Sequence, residues 1–280
     1  MLLGALSAAF FEITRPRKRK SRSTDAMAYD PQAPYAIRQF EIDVLIPIEI
    51  FGVNVSFTTS AQAMITTVFV VGFFMIWAMQ ERRIVPGRVQ TAAEMIYGFV
   101  ANTVLKIAGP EAKRAIPLLF TMFVYIFFGS LIGLTPVKFT FTSHLIVTFA
   151  LAMIVFTYAN YLAFSKHGLG FFRFFLPHGV PGYVAPIVVG VELVSYVFRP
   201  ITLSVRIFAN ILAGHIMIKT FADLNSMAFD GIGAPAIFLA IAPTLMMAVF
   251  YGFEVLVFAV QSYIFIVISS FYIKDALHLH

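Results

Sequence analysis

The chain has 280 residues, 60% of them apolar and only 12% charged, with a mean hydropathy of +0.86. A soluble domain carries about a quarter charged residues, so this chain cannot cover a water-facing surface; a soluble enzyme, a disordered tail and a nucleic-acid module are excluded. The absence of cysteine removes disulfides, thiolate metal sites and thiol nucleophiles. An integral membrane protein of all-α type remains.

The formal charge of +6 belongs to one tail. Six of the 20 Lys and Arg residues are Arg15, Arg17, Lys18, Arg19, Lys20 and Arg22, and the rest of the chain balances at 14 basic against 14 acidic. Residues 1–36 therefore read as an N-terminal basic extension and 37–280 as the membrane domain. Met1–Ile13 is apolar but too short to span. Its basic run follows the apolar stretch, the reverse of a secretory signal; the Arg-rich, acid-poor start is loosely like a transit peptide, and a surface-lying extension is the simpler reading.

Intervals free of Asp, Glu, Lys and Arg locate about five membrane segments. They are residues 50–80, 115–137 and 139–165, then Phe174–Val191 continuing to about Ala222, and Gly231–Ile273 broken only by Glu254. The last two run to some 40 residues, about 60 Å as helix and twice the hydrocarbon thickness. Each must be tilted, bent or broken. Between the first two spans, Thr91–Ile107 has apolar residues at helical spacing and reads as an interfacial amphipathic helix bounded by Pro86, Gly87, Gly109 and Pro110.

Five spans place residues 81–114, 165–173 and the C-terminus on one side with nine basic residues, against three (Arg38, Lys138 and Lys219) opposite. That side is cytoplasmic or matrix-facing. The basic tail runs against this assignment.

Ionisable groups inside a span cost roughly 2.5–3.5 kcal/mol each on insertion scales, so Glu192, Arg199, Arg206, His215 and Glu254 are candidate functional residues. Glu192, Arg199 and Arg206 are seven apart and share a helix face, with Asn210 one turn further; Glu254 and Gln261 repeat that spacing on the last helix. Structural roles compete with functional ones. Arg199, before Pro200, reads first as a residue reaching lipid headgroups, and Glu192 serves equally well as a structural partner of an arginine. Asn210 and Gln261 could bridge helices, and His215 could be a core histidine bonded to a carbonyl. Arg206 is always charged and has no carboxylate within four residues on its own helix. Its partner lies on another helix, where Glu254 is one option, or on another subunit. Ala209, Ala213 and Gly214 let a neighbour approach this face closely.

The stretch "RPITLSVRIFANILAGH" at Arg199–His215 resembles the signature of subunit a of rotary F-type ATP synthases, of alphaproteobacterial and mitochondrial type. "QFEI" at 39–42, "VNVSFTTSA" at 53–61, "VPGRVQTAAEMIYGFV" at 85–100, "TSHLIVTFALA" at 142–152 and "GFEVLVFAVQSYIF" at 252–265 agree with it, so the likeness covers about residues 37–280. The resemblance implies an interfacial helix and a final hairpin of two long tilted helices against the c-ring. It makes Arg206 the essential arginine, and places Glu192, Asn210, His215, Glu254 and Gln261 in proton half-channels. The implied function is the proton-channel stator subunit of the Fo sector, not catalytic by itself. The implied partners are the c-ring, peripheral-stalk b subunits, the lipid bilayer and protons. The implied location is the bacterial inner membrane, with the mitochondrial inner membrane as alternative.

A polytopic secondary ion-coupled transporter is the competing reading, but the chain shows no pair of similar halves. An intramembrane enzyme would need a motif such as His-Glu-x-x-His or Gly-x-Ser-x-Gly, and neither occurs. No cofactor or metal is expected.

Overall fold

A computed structural model describes residues 44–47, 49–50, 53–54, 56–80, 86–135, 140–168, 170–171, 184–232 and 236–278, with side chains at 50, 53–54 and 226–240 left aside. The extension assigned to residues 1–36 lies outside them, as does most of the stretch from Phe174 that precedes the fourth segment.

The described chain opens on two small antiparallel pairs, a local addition to the helical architecture. Strand β1 (Val44–Ile46) pairs with β4 (Phe57–Thr58), enclosing β2 (Glu49–Ile50) paired with β3 (Val53–Asn54). Helix α1 (Thr59–Ala78) follows at once, because Thr58 Oγ1 accepts the Ala61 N–H at 3.3 Å and caps the first turn. Helix α2 (Arg88–Ala108) ends at Gly109, whose φ of +79° suits a residue without Cβ. Pro110 starts a 3₁₀ turn (Pro110–Ala115) leading into α3 (Ile116–Gly133). A second 3₁₀ turn (Phe141–Ser143) precedes α4 (Leu145–His167). Helix α5 (Ala185–Ile232) and helix α6 (Ala236–Leu277) complete the chain.

Five of these helices are long and apolar enough to cross a membrane: α1, α3 with its preceding turn, α4, α5 and α6. Helix α2 is not among them. It buries Val100, Val104 and Ala108 at four-residue spacing against its neighbours and exposes Met95, Tyr97 and Phe99. Its ends fall at the Pro and Gly pairs that the sequence marks.

The core centres on α6, which packs against α2, α3, α4 and α5. Leu203, Ile207 and Ile211 form one buried row on α5 and meet Phe258, Phe265 and Ile273 of α6. Both long helices are continuous, at 48 and 42 residues, or about 72 and 63 Å. Of the three options for such lengths, breakage is excluded. Pro200 and Pro243 are accommodated within the helices. Beside Pro200, the Tyr272 and Thr202 hydroxyls donate to the Arg199 carbonyl at 3.2 and 3.0 Å, and the first of these bonds ties α6 to α5 at the proline.

One end of the bundle is tied by polar contacts. Lys166 Nζ bonds the Glu111 carboxylate, the Tyr158 hydroxyl donates to the Arg114 carbonyl at 3.2 Å, and His167 Nε2 lies 3.3 Å from the Leu277 carbonyl. These contacts gather the same segments that their basic residues lead one to expect on the inner side of the membrane.

Candidate functional site: a polar stripe in a helix hairpin

The seven residues singled out from the sequence all lie on α5 and α6, and the structure sorts them into three levels along the hairpin. At the inner end, Arg199 Nη1 bonds Asp275 Oδ2 at 2.9 Å and Nη2 lies 3.7 Å from Glu192 Oε1. The guanidinium also sits 5.2 Å from the Tyr196 ring centroid and 5.6 Å from that of Tyr272. Such a flanked, paired guanidinium retains its interactions as it leaves water. The headgroup reading of Arg199 is thus corrected: its side chain turns inward to Asp275. Glu192, two helical turns earlier on α5, lies within ion-pair distance of Arg199, a contact that the structural-partner reading allows.

At the middle level stands Arg206. It lies one residue from the midpoint of the candidate span Ala185–Asn225 and is exposed on the outer face of the hairpin. Among the described residues it forms no ion pair, and Glu254 is not its partner. Asn210, one turn on, donates Nδ2–H to Gln261 Oε1 at 2.8 Å and so joins α5 to α6. Gln261 is only 2% exposed. The amides therefore bridge helices, as one sequence reading holds, at a level adjoining Arg206.

At the outer level, His215 and Glu254 are 8% and 2% exposed. His215 Nε2 lies 3.6 Å from Glu254 Oε1 and 3.1 Å from Thr140 Oγ1. Its Nε2 thus contacts a hydroxyl and lies near a carboxyl. Gly214 makes room for it: a Cβ there would meet Glu254 Oε1 at 2.8 Å. The two carboxylate oxygens are buried without a hydrogen-bond donor among the described residues, an expensive arrangement unless the group binds a proton. Beside them a groove of about 380 Å³ runs between the helices, lined by Asn210, Gly214, Glu254 and Gln261 among apolar side chains. His144, between the second 3₁₀ turn and α4, is half-buried, and burial holds its imidazole below the usual histidine range.

The seven-residue spacing expects Glu192, Arg199 and Arg206 on one face. The structure divides them, with Glu192 and Arg199 half-buried and Arg206 exposed. A straight helix drifts about 20° per seven residues, and that drift turns the stripe progressively away from α6. Two contributors escape the sequence reading. Asp275 extends the Glu254 and Gln261 stripe by two further heptads, a signal obscured because it lies beyond the last apolar interval. Thr140 has no sequence signal, since its partner is 75 residues away. No group of three or more His, Cys, Asp or Glu side chains suited to a metal occurs among the described residues.

Long apolar helices carrying ionisable residues along a shared seam define a polytopic membrane protein built around buried charge. The particular family follows from comparison: the chain belongs to the ATP synthase A chain family, the F-type subunit a, whose model matches residues 61–274. It is 44% identical over 253 residues to ATP synthase subunit a of Chelativorans sp. (strain BNC1), covering 90% of this chain and 99% of that protein. It is 43% identical over 244 residues to ATP synthase subunit a of Parvibaculum lavamentivorans, covering 86% and 93%. The chain is accordingly a multi-pass subunit of the membrane sector of an ATP synthase, and the transporter alternative is not favoured.

Proposed function

We propose that this chain is the stator subunit whose α5–α6 hairpin faces the c-ring and supplies two offset proton half-channels, with the peripheral-stalk b subunits holding it in place. The observation that carries this reading is Arg206: a permanent charge at mid-span, exposed on the hairpin and without an acidic partner among the described residues. Such a charge is costly against lipid. A ring carrying an ionisable carboxylate at the same depth would both satisfy it and be acted on by it.

The three levels then acquire roles. His215 and Glu254 serve the outer path and pass protons toward the ring carboxylate. Asn210 and Gln261 set the hairpin beside it. Glu192 lies on the inner path, where the Arg199–Asp275 pair holds the helices together. Arg206 separates the paths, because its charge favours the ionised ring carboxylate and it carries no proton that it can give up. Each proton crossing 100 mV contributes about 2.3 kcal/mol, so several must pass for each ATP. The relatives support a bacterial inner membrane as the location, both being bacterial proteins.

Isolating the complex through an affinity tag on this chain tests the reading. The expected product contains an oligomeric ring and acidifies reconstituted vesicles on ATP addition. A lone chain catalysing saturable uptake of a small solute would contradict it.

A further inference from the structure

The outer-level histidine is held by a residue that lies on neither helix of the hairpin. Thr140, 6% exposed, sits in the connection between α3 and α4 and has a single hydroxyl proton to give. That proton goes to the Gly133 carbonyl at 3.0 Å. Gly133 ends α3, so its carbonyl is one of the terminal acceptors for which the helix has no N–H, and no backbone N–H reaches it among the described residues. With its own proton committed, Thr140 Oγ1 can only accept from His215 Nε2 at 3.1 Å. Nε2 must then carry a proton, and it is also the nitrogen 3.6 Å from Glu254 Oε1.

The local packing is built for this contact. A Cβ on Gly133 would meet Thr140 Oγ1 at 2.5 Å, so only glycine lets the hydroxyl come so close to α3. Ser143 Oγ donates to the Thr140 carbonyl at 2.6 Å and fixes the turn that presents it. On the other side of the ring, Phe258 of α6 lies 6.1 Å away, centroid to centroid.

We infer that Thr140 is a positioning residue for proton transfer on the outer path: it holds the His215 ring and keeps the proton on Nε2, the nitrogen that lies 3.6 Å from Glu254. This rests on the outer-path role of His215 proposed above. Thr140 touches no translocated group in any other way, and acts through the imidazole. A ring that lost this acceptor would lose the contact that fixes the proton on Nε2, and the fraction of time with a protonated Nε2 beside Glu254 would fall.

The test compares ATP-driven proton pumping by assembled complexes carrying Thr140→Val, Thr140→Ser, His215→Ala and the double variant Thr140→Val/His215→Ala. Valine preserves the shape of threonine and removes the hydroxyl. It is expected to slow pumping roughly fivefold, the scale of one lost hydrogen bond, while serine rescues most of the rate. Gly133→Ala, which displaces the hydroxyl by a different route, is expected to follow valine. Because Thr140 acts through the ring, the double variant should pump no more slowly than His215→Ala alone. Wild-type pumping in Thr140→Val beside a slow His215→Ala, or losses that multiply in the double variant, would overturn the inference alone. Wild-type pumping in His215→Ala would overturn the outer-path reading and the inference with it.

Discussion

Replacing Arg206 with alanine is expected to abolish both proton-driven ATP synthesis and ATP-driven pumping while the complex still assembles. Assembly survives because Arg206 is exposed on the hairpin and forms no ion pair among the described residues, whereas the core row of Leu203, Ile207 and Ile211 is untouched. Function is lost because two effects vanish together. A charge about 4 Å from a ring carboxylate is worth roughly 4 kcal/mol at an effective dielectric of about 20, close to a thousandfold in favour of the ionised form. The same charge bars direct proton exchange between the two paths. Lysine is expected to restore little, since a desolvated ammonium can lose its proton and lacks the planar fork of the guanidinium. Gradient formation in inverted vesicles measures this: the alanine variant should give no acidification, and retention of full acidification would remove Arg206 from the mechanism.

Glu254→Gln should slow ATP-driven pumping roughly tenfold or more, a fraction of what positioned proton-transfer groups commonly contribute, with assembly intact. Glutamine keeps the volume of a side chain that is 2% exposed, so packing is preserved while the titrating group is lost. Gly214→Val is expected to reach the same phenotype from the other helix. Even the first carbon added at Gly214 would lie 2.8 Å from Glu254 Oε1 and 3.2 Å from Cγ, which forces the carboxyl away from its site. Normal pumping in Glu254→Gln would reduce Glu254 to a structural neighbour of His215.

Much of the fold is legible in the sequence because lipid imposes a simple rule: about 20 apolar residues per crossing, with backbone groups satisfied inside each helix. Charge-free intervals therefore locate α1, α3 and α4, and Gly and Pro pairs bound α2 within a residue or two. The long helices are legible as lengths, but their continuity through Pro200 and Pro243 is not, since a proline inside an apolar run reads equally as a kink or a break until the packing of the two helices is known. The same limit applies to the site. Seven-residue spacing finds the stripe, because helix geometry is local. It does not find that Arg199 turns to Asp275 while Arg206 turns outward, since helix drift and α6 packing decide that. The 3.1 Å approach of Thr140 to His215 is a tertiary contact between a turn and a helix, and neither segment signals it alone.

The central claim is that the face of α5 bearing Arg206 lies against the ring. The chain contains no cysteine, so a single introduced thiol reports without background. Ala213 is exposed and lies two helical turns from Arg206 on the same face, whereas Ile201 lines an apolar groove between α4 and α5. With one cysteine placed on the outer helix of each ring subunit at matching depth, mild oxidation of membranes should join Ala213→Cys to a ring subunit and leave Ile201→Cys unjoined. Crosslinking from Ile201→Cys with none from Ala213→Cys would place the ring on the wrong side of α5 and contradict the account.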